Sequence, residues 1–194
     1  KQARNVTVNQ FNPSGIDPNH AQWEAIAAVA KRRGFLPLVD LAYQGFADGL
    51  VEDAAGLLEL VRPGAELLVS TSFSKTFSLY AERVGALIVI AGTAADAAAV
   101  QSHVKSAIRV NYSNPPAHGA DIVRTILSDA TLRAQWEVEL AGMRGRINAN
   151  RVELVEALES RGIPGDWSAI ATQRGMFALL GLTTEKVARL KDEH

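Results

Sequence analysis

The 194-residue sequence contains no cysteine, which removes disulfides and thiolate metal sites from consideration. No apolar run approaches the ~20 residues that a helix needs to cross a bilayer. The opening residues, Lys1-Gln2-Ala3-Arg4-Asn5, have no hydrophobic stretch behind them of the kind that marks a secretory signal. Neither sign of charge is in excess: 20 Lys and Arg stand against 21 Asp and Glu, giving a net charge of -1. Acids and bases are interspersed, so a general nucleic-acid binder or a membrane-surface protein is not expected. His20, His103, His118 and His194 show no metal-ligand spacing; they read as structural or exposed, and no metal is expected. Internal repeats and low-complexity tracts are absent too. A cytoplasmic protein is the expectation.

What remains is an ordinary globular composition, 47% hydrophobic and 21% charged, sufficient for a real core. The length suits one domain or part of a larger one. The chain does not begin with Met and stops at Lys191-Asp192-Glu193-His194, inside an expected helix, so a piece of a longer polypeptide is expected. Val6-Thr7-Val8 reads as a short, rather polar strand. Asp17 can cap a helix that has Pro18 at its first position, with Trp23, Ile26, Ala27 and Ala30 at helical spacing and Gly34 as the stop. Phe35 to Tyr43 is a continuous apolar run, as a parallel strand buried on both faces should be. A helix over 53–61 is stopped by Arg62-Pro63-Gly64, and Leu67-Leu68-Val69 and Gly85 to Ile90 read as further buried strands. Strands alternating with helices predict an α/β domain whose ligands sit beyond the carboxyl ends of the strands.

From Thr93 the pattern turns helical. Helices are predicted over 94–108 and 118–127, and a long one from a Thr131 cap to about Ser160. The long helix carries an apolar stripe of Leu132, Trp136, Leu140, Met143, Ile147 and Leu154. Trp167–Thr172 and Met176–Leu180 look like a short antiparallel pair, and Thr183 opens a last helix. Trp23 and Trp136 read as core.

The chemistry concentrates in Ser70-Thr71-Ser72-Phe73-Ser74-Lys75 and the following stretch to Arg83. Hydroxyls and a guanidinium beside a lysine suit a ligand bearing both a phosphate and an aldehyde, since an amine can form a Schiff base. Taken singly, the residues have ordinary readings. Asp40 would be a capping acid, Tyr43 an edge aromatic, Arg83 a surface charge, and Arg109 a favourable cation at a helix C-terminus.

In order and spacing, however, Asn12-Pro13-Ser14-Gly15, Asp40-x-x-Tyr43, Ser72-Phe73-Ser74-Lys75 and Arg83 resemble the class I pyridoxal-phosphate aminotransferases of the aspartate and aromatic amino-acid group. The likeness continues through AIRVNYSNPPAHGA and QRGMFALLGLT. It implies a fold-type-I α/β architecture, with residues 1–142 as the C-terminal half of a large cofactor-binding domain and 143–194 as the start of a small α+β domain. It implies Lys75 as the catalytic amine that holds pyridoxal 5'-phosphate and shuttles the substrate's proton. Asp40 is then the partner of the pyridinium nitrogen, and Asn12 and Tyr43 the partners of the phenolic oxygen. Ser72 and Arg83 become phosphate ligands, and Phe177 lies near the substrate. Arg109, supported by Ser113 and Asn114, binds a distal carboxylate across a homodimer interface.

The reaction implied is ping-pong amino transfer between an aromatic or dicarboxylic L-amino acid and 2-oxoglutarate. Alternatives are strict aspartate specificity, a lyase acting at Cβ, or a non-catalytic piece that only oligomerises. The family's glycine/serine phosphate loop, its ring-stacking aromatic, a cross-subunit tyrosine and a second substrate arginine have no counterpart here, so the 194 residues alone are expected to be an incomplete site.

Overall fold

The structure, a computed structural model, describes residues 3–7 and 14–193. Its centre is a four-stranded sheet in the order β1-β2-β3-β4, made of Ala3–Thr7, Leu36–Leu41, Leu67–Ser72 and Gly85–Ile90. The first three strands are parallel: Thr7 lies opposite Asp40, and Asp40 opposite Ser70. β4 returns antiparallel, with Gly85 opposite Ser72. The run Phe35–Tyr43 thus yields the inner strand it predicts, while β1 begins earlier than the Val6–Val8 reading; Val8 lies outside the described residues.

Helix α1 (His20–Arg33) and helix α2 (Ala55–Leu60), preceded by a 3-10 turn at Glu52–Ala54, cover one face of the sheet. Alternation along β2 and β3 sends Val39, Leu41, Leu67 and Val69 to that face, where they meet Trp23, Ala27 and Leu60 in the main core. Val39 and Leu67 have no exposed surface, and burying each such side chain is worth roughly 1.5–3 kcal/mol. β4 departs from the expected burial: Leu87 and Ile88 are each 51% exposed.

The α1 cap differs from the Asp17 reading by two residues. Asn19 takes the extended conformation, its side-chain oxygen accepts from the Gln22 amide, and its own backbone amide donates to the Gln22 side-chain oxygen to complete a capping box. Gly34 closes the helix in the left-handed conformation, as its sequence position predicts.

Helices α3 (Ala94–Asn111) and α4 (His118–Ser128) lead into α5 (Ala130–Ser160). Asp129, rather than Thr131, caps α5, its Oδ1 accepting from the amides of Thr131 and Leu132. The apolar stripe on α5 is narrower than the sequence implies. Leu140 is fully buried, but Leu132 and Leu154 are more than a third exposed, and the buried positions near the far end are Arg151 and Val155.

The expected antiparallel pair is absent. Ser168–Thr172 forms the short helix α6, its first turn held by Asp166, whose Oδ1 accepts from the Ser168 amide and hydroxyl. Met176–Leu180 is irregular, because the neighbouring backbone is bonded elsewhere: the Gly175 amide donates to Gly15, and the carbonyls of Gly175 and Phe177 accept from Arg151. Helix α7 (Thr184–Glu193) follows. Among the described residues no helix is long and apolar enough to cross a membrane, and no cluster of His, Asp or Glu could hold a metal ion.

Candidate active site

The carboxyl edge of the parallel strands gathers most of the residues singled out in the sequence. Asp40 and Ser72 occupy alternate positions on β2 and β3 that face away from the α1–α2 core, and Asp40 is half-buried there. Across the same edge, the Thr71 hydroxyl donates to the Leu41 carbonyl at 3.1 Å, tying the ends of the two strands together. β4 starts at this edge, so the segment from Ser72 to Gly85 leaves and re-enters the sheet at one place.

That segment is a compact series of turns. The Phe73 amide bonds the Val84 carbonyl and the Phe77 amide bonds the Phe73 carbonyl, each at 3.1 Å. Phe77 packs edge-on to Phe73 and stacks on Trp136 of α5 at 4.6 Å, and the Trp136 indole donates to the Thr76 carbonyl at 2.8 Å. Lys75 is thereby carried on a rigid turn braced by α5, with Ser74 and Thr76 buried beside it. Its Nζ sits 4.9 Å from the centroid of the Tyr43 ring, within cation–π range.

Two non-glycine residues of this segment, Ser78 and Arg83, have positive φ, at 55° and 53°, a strained conformation that the surrounding bonds must hold. Arg83 is exposed, and its Nη1 donates to the Tyr80 carbonyl at 3.1 Å. The turn is held from outside by His118, whose Nδ1 lies 3.0 Å from Glu82 at the start of α4.

Tyr43 stands at the head of a loop that runs to Gly49, and a residue no sequence motif marks out organises that loop. Asp53 is buried, and its two carboxylate oxygens accept from the amides of Gly45, Ala47, Asp48 and Gly49 at 2.7–3.2 Å. Burial raises the Tyr43 phenol above its ordinary 10.0, and the phenol of Tyr80 pushes it the same way. The hydroxyl is therefore a neutral donor at physiological pH.

Phe177 reaches the same place from the far end of the chain, its ring edge-on to Tyr43 at 6.1 Å. The buried guanidinium of Arg151, also unmarked in the sequence, donates to the carbonyls of Ile170, Gly175 and Phe177. The signals that could have identified these two residues are tertiary, since each gathers loop backbone far from its own position.

Lys75, Tyr43 and Phe177 are in mutual contact through Tyr43, and Asp40 and Ser72 share the strand edge beside them. Arg109 lies apart from this group, exposed in the last turn of α3, the helix packed on β4. Ser113, in the following loop, has φ of 67°. Asn12 lies outside the described residues. An amine, a carboxylate, a neutral phenol and hydroxyls thus lie at or beside this edge, with the exposed Arg83 guanidinium in the turn that leaves and re-enters it. That donor set fits a molecule carrying an aldehyde, a basic ring nitrogen, a phenolic oxygen and a phosphate.

A family profile for aminotransferase class I and II matches residues 5–194. The chain is 52% identical over 182 residues to an aspartate aminotransferase of Salmonella typhi, and 46% identical over 183 residues to an aromatic-amino-acid aminotransferase of Pseudomonas aeruginosa. Each alignment covers 94% of this chain and 46% of the relative, so the chain spans about half the length of the curated relatives it matches. Its structure superposes with a TM-score of 0.95, at 46% identity, on an aromatic-amino-acid aminotransferase of Burkholderia pseudomallei covalently bound to pyridoxal phosphate, covering 98% of this chain and 48% of that one.

Proposed function

The chain belongs to the class I and II aminotransferase family and has a mixed α/β, fold-type-I architecture, and we propose that it carries the cofactor-holding half of a pyridoxal-phosphate-dependent aminotransferase site. The observation that carries this reading is the placement of Lys75 Nζ 4.9 Å from the Tyr43 ring at the carboxyl edge of the sheet, beside Asp40 and Ser72. When bound, pyridoxal 5'-phosphate supplies an electron sink for charge at the substrate's α-carbon.

The residues divide the remaining work. The Nζ of Lys75 would hold the cofactor through its aldehyde and would move the proton at the substrate's α-carbon. The carboxylate of Asp40 would hold the ring nitrogen and keep it protonated. The neutral hydroxyl of Tyr43 donates to the phenolic oxygen, with Asn12 as a second donor. The Ser72 hydroxyl and the Arg83 guanidinium hold the phosphate, Arg83 through a charge-assisted fork. Phe177 lines the substrate end, and Arg109 binds a distal carboxylate in the neighbouring subunit of a homodimer.

We further propose substrates of the aromatic or dicarboxylic L-amino-acid class with 2-oxoglutarate as acceptor. Relatives of both kinds are similar to this chain. The rings of Tyr43 and Phe177 support the aromatic choice, and Arg109 supports the dicarboxylic one. Residues 1–142 and 143–194 would belong to the large and small domains, dividing within α5. A cytoplasmic setting completes the reading.

The test is an absorbance titration with pyridoxal phosphate, borohydride reduction, and peptide mapping. A pyridoxyl adduct confined to Lys75 and lost in Lys75→Ala is expected. Adducts spread over Lys31, Lys105 and Lys186 would refute the assignment, and no adduct at all would mean that these 194 residues are an incomplete site.

A further inference from the structure

Three polar side chains of α5, Arg144, Asn148 and Arg151, follow one another at spacings of four and three and so share a helix face. All three spend their donors on backbone carbonyls of distant segments. Arg144 Nη1 donates to Gly45 at 2.9 Å and Asn148 Nδ2 to Ala47 at 3.0 Å, both in the loop headed by Tyr43. Arg151 donates to Ile170 at 3.3 Å, to Gly175, and to Phe177 at 3.2 Å. A single rigid element therefore grips the two segments whose rings meet at 6.1 Å. An ion pair between Arg174 and Asp48, at 2.9 Å, joins the same segments at the surface.

Arg151 is the member that ordinary stability does not explain. A buried cation is costly, and an apolar side chain of similar size often serves stability as well or better. What an apolar side chain cannot do is donate to three carbonyls at once. The segment it holds is close-packed: Gly175 donates to Gly15 at 3.0 Å, and a Cβ at Gly15 would collide with the Phe177 carbonyl. The backbone has one place to sit, and the guanidinium marks it.

We propose that Arg151 is a positioning residue that sets the Phe177 segment against Tyr43 and thereby shapes the substrate end of the site. This rests on the reading of Lys75 as the cofactor-holding amine. The guanidinium acts through the backbone, never touching substrate. Its loss lets Phe177 drift, which weakens substrate binding more than the chemistry at Lys75.

The test uses Arg151→Lys and Arg151→Met in the cofactor-loaded enzyme and its cofactor-free form. Hydrogen exchange of the 173–177 amides is expected to rise about tenfold in Arg151→Lys and further in Arg151→Met, with α1 unchanged. Borohydride trapping at Lys75 should match the wild type, while KM for the amino acid rises about tenfold with kcat nearly constant. Unchanged exchange at 173–177, or kcat falling with KM constant, would overturn the proposal. If Arg151→Met loses protection in α1 as well, it has failed to fold, and Arg151→Lys decides alone. Trapping at other lysines instead of Lys75 in the wild type would sink the cofactor reading, and the exchange measurement would still judge the positioning.

Discussion

At the scale of single residues, Tyr43 joins the most threads. It touches Lys75 and Phe177, and its phenol is held above 10.0 first by burial and then by Tyr80. A phenol whose folded pKa exceeds its unfolded one favours the folded state fully at pH values below about 10, and that contribution is lost as pH climbs through the folded value. Wild-type stability should therefore fall more steeply than that of Tyr43→Phe as pH rises above about 10, as read from urea midpoints. Parallel pH profiles would show that the phenol is solvated alike in both states. Asp40, Tyr43, Lys75 and Arg83 stood out in the sequence through the family resemblance, since taken singly each reads as an ordinary capping, edge or surface residue. Asp53 and Arg151 did not, because an acid in a short helical turn and an arginine on a long helix look like surface groups until loops close over them.

At the scale of elements, capping shows where local rules stop. Asp17 and Asn19, and likewise Asp129 and Thr131, are cap-type residues two positions apart, and side-chain chemistry alone admits either. The choice is made by the backbone entering the helix. Asn19 and Asp129 hold extended conformations, and Asp129 accepts two amides at 2.9 Å. Asp129→Ala is expected to cost about 1 kcal/mol, whereas Thr131→Ala should stay within about 0.5 kcal/mol. Equal losses in denaturant unfolding would return the cap to Thr131. The strand–helix–strand order was legible from buried runs and glycine stops. The region 167–180 was not, because its apolar residues pack singly: Ile170 is buried while Leu179 is 61% exposed. Period alone misread such spacing as strands.

At the scale of the molecule, α5 adds to the direct Arg174–Asp48, Gly175–Gly15 and Tyr43–Phe177 contacts a continuous element that reaches both parts of the chain. It stacks Trp136 on the Lys75 turn, seats Leu140 over Gly45 of the Tyr43 loop, and holds the Phe177 segment through Arg151. The proposed domain division falls inside this helix, so a continuous rod spans both sides of it, and unfolding should be cooperative across them. Two tryptophans report on separate layers: Trp23 lies in the sheet core and Trp136 on α5. Leu140 has no exposed surface, and Leu140→Ala should cost about 2–5 kcal/mol by opening a cavity between helix and loop. In single-tryptophan variants the Trp23 and Trp136 signals should shift to lower urea together and by equal amounts. A shift confined to Trp136 would mean that the sheet layer stands without α5. The site would then be assembled on a sheet that folds first, with Phe177 docking as a separate step that substrate binding could drive.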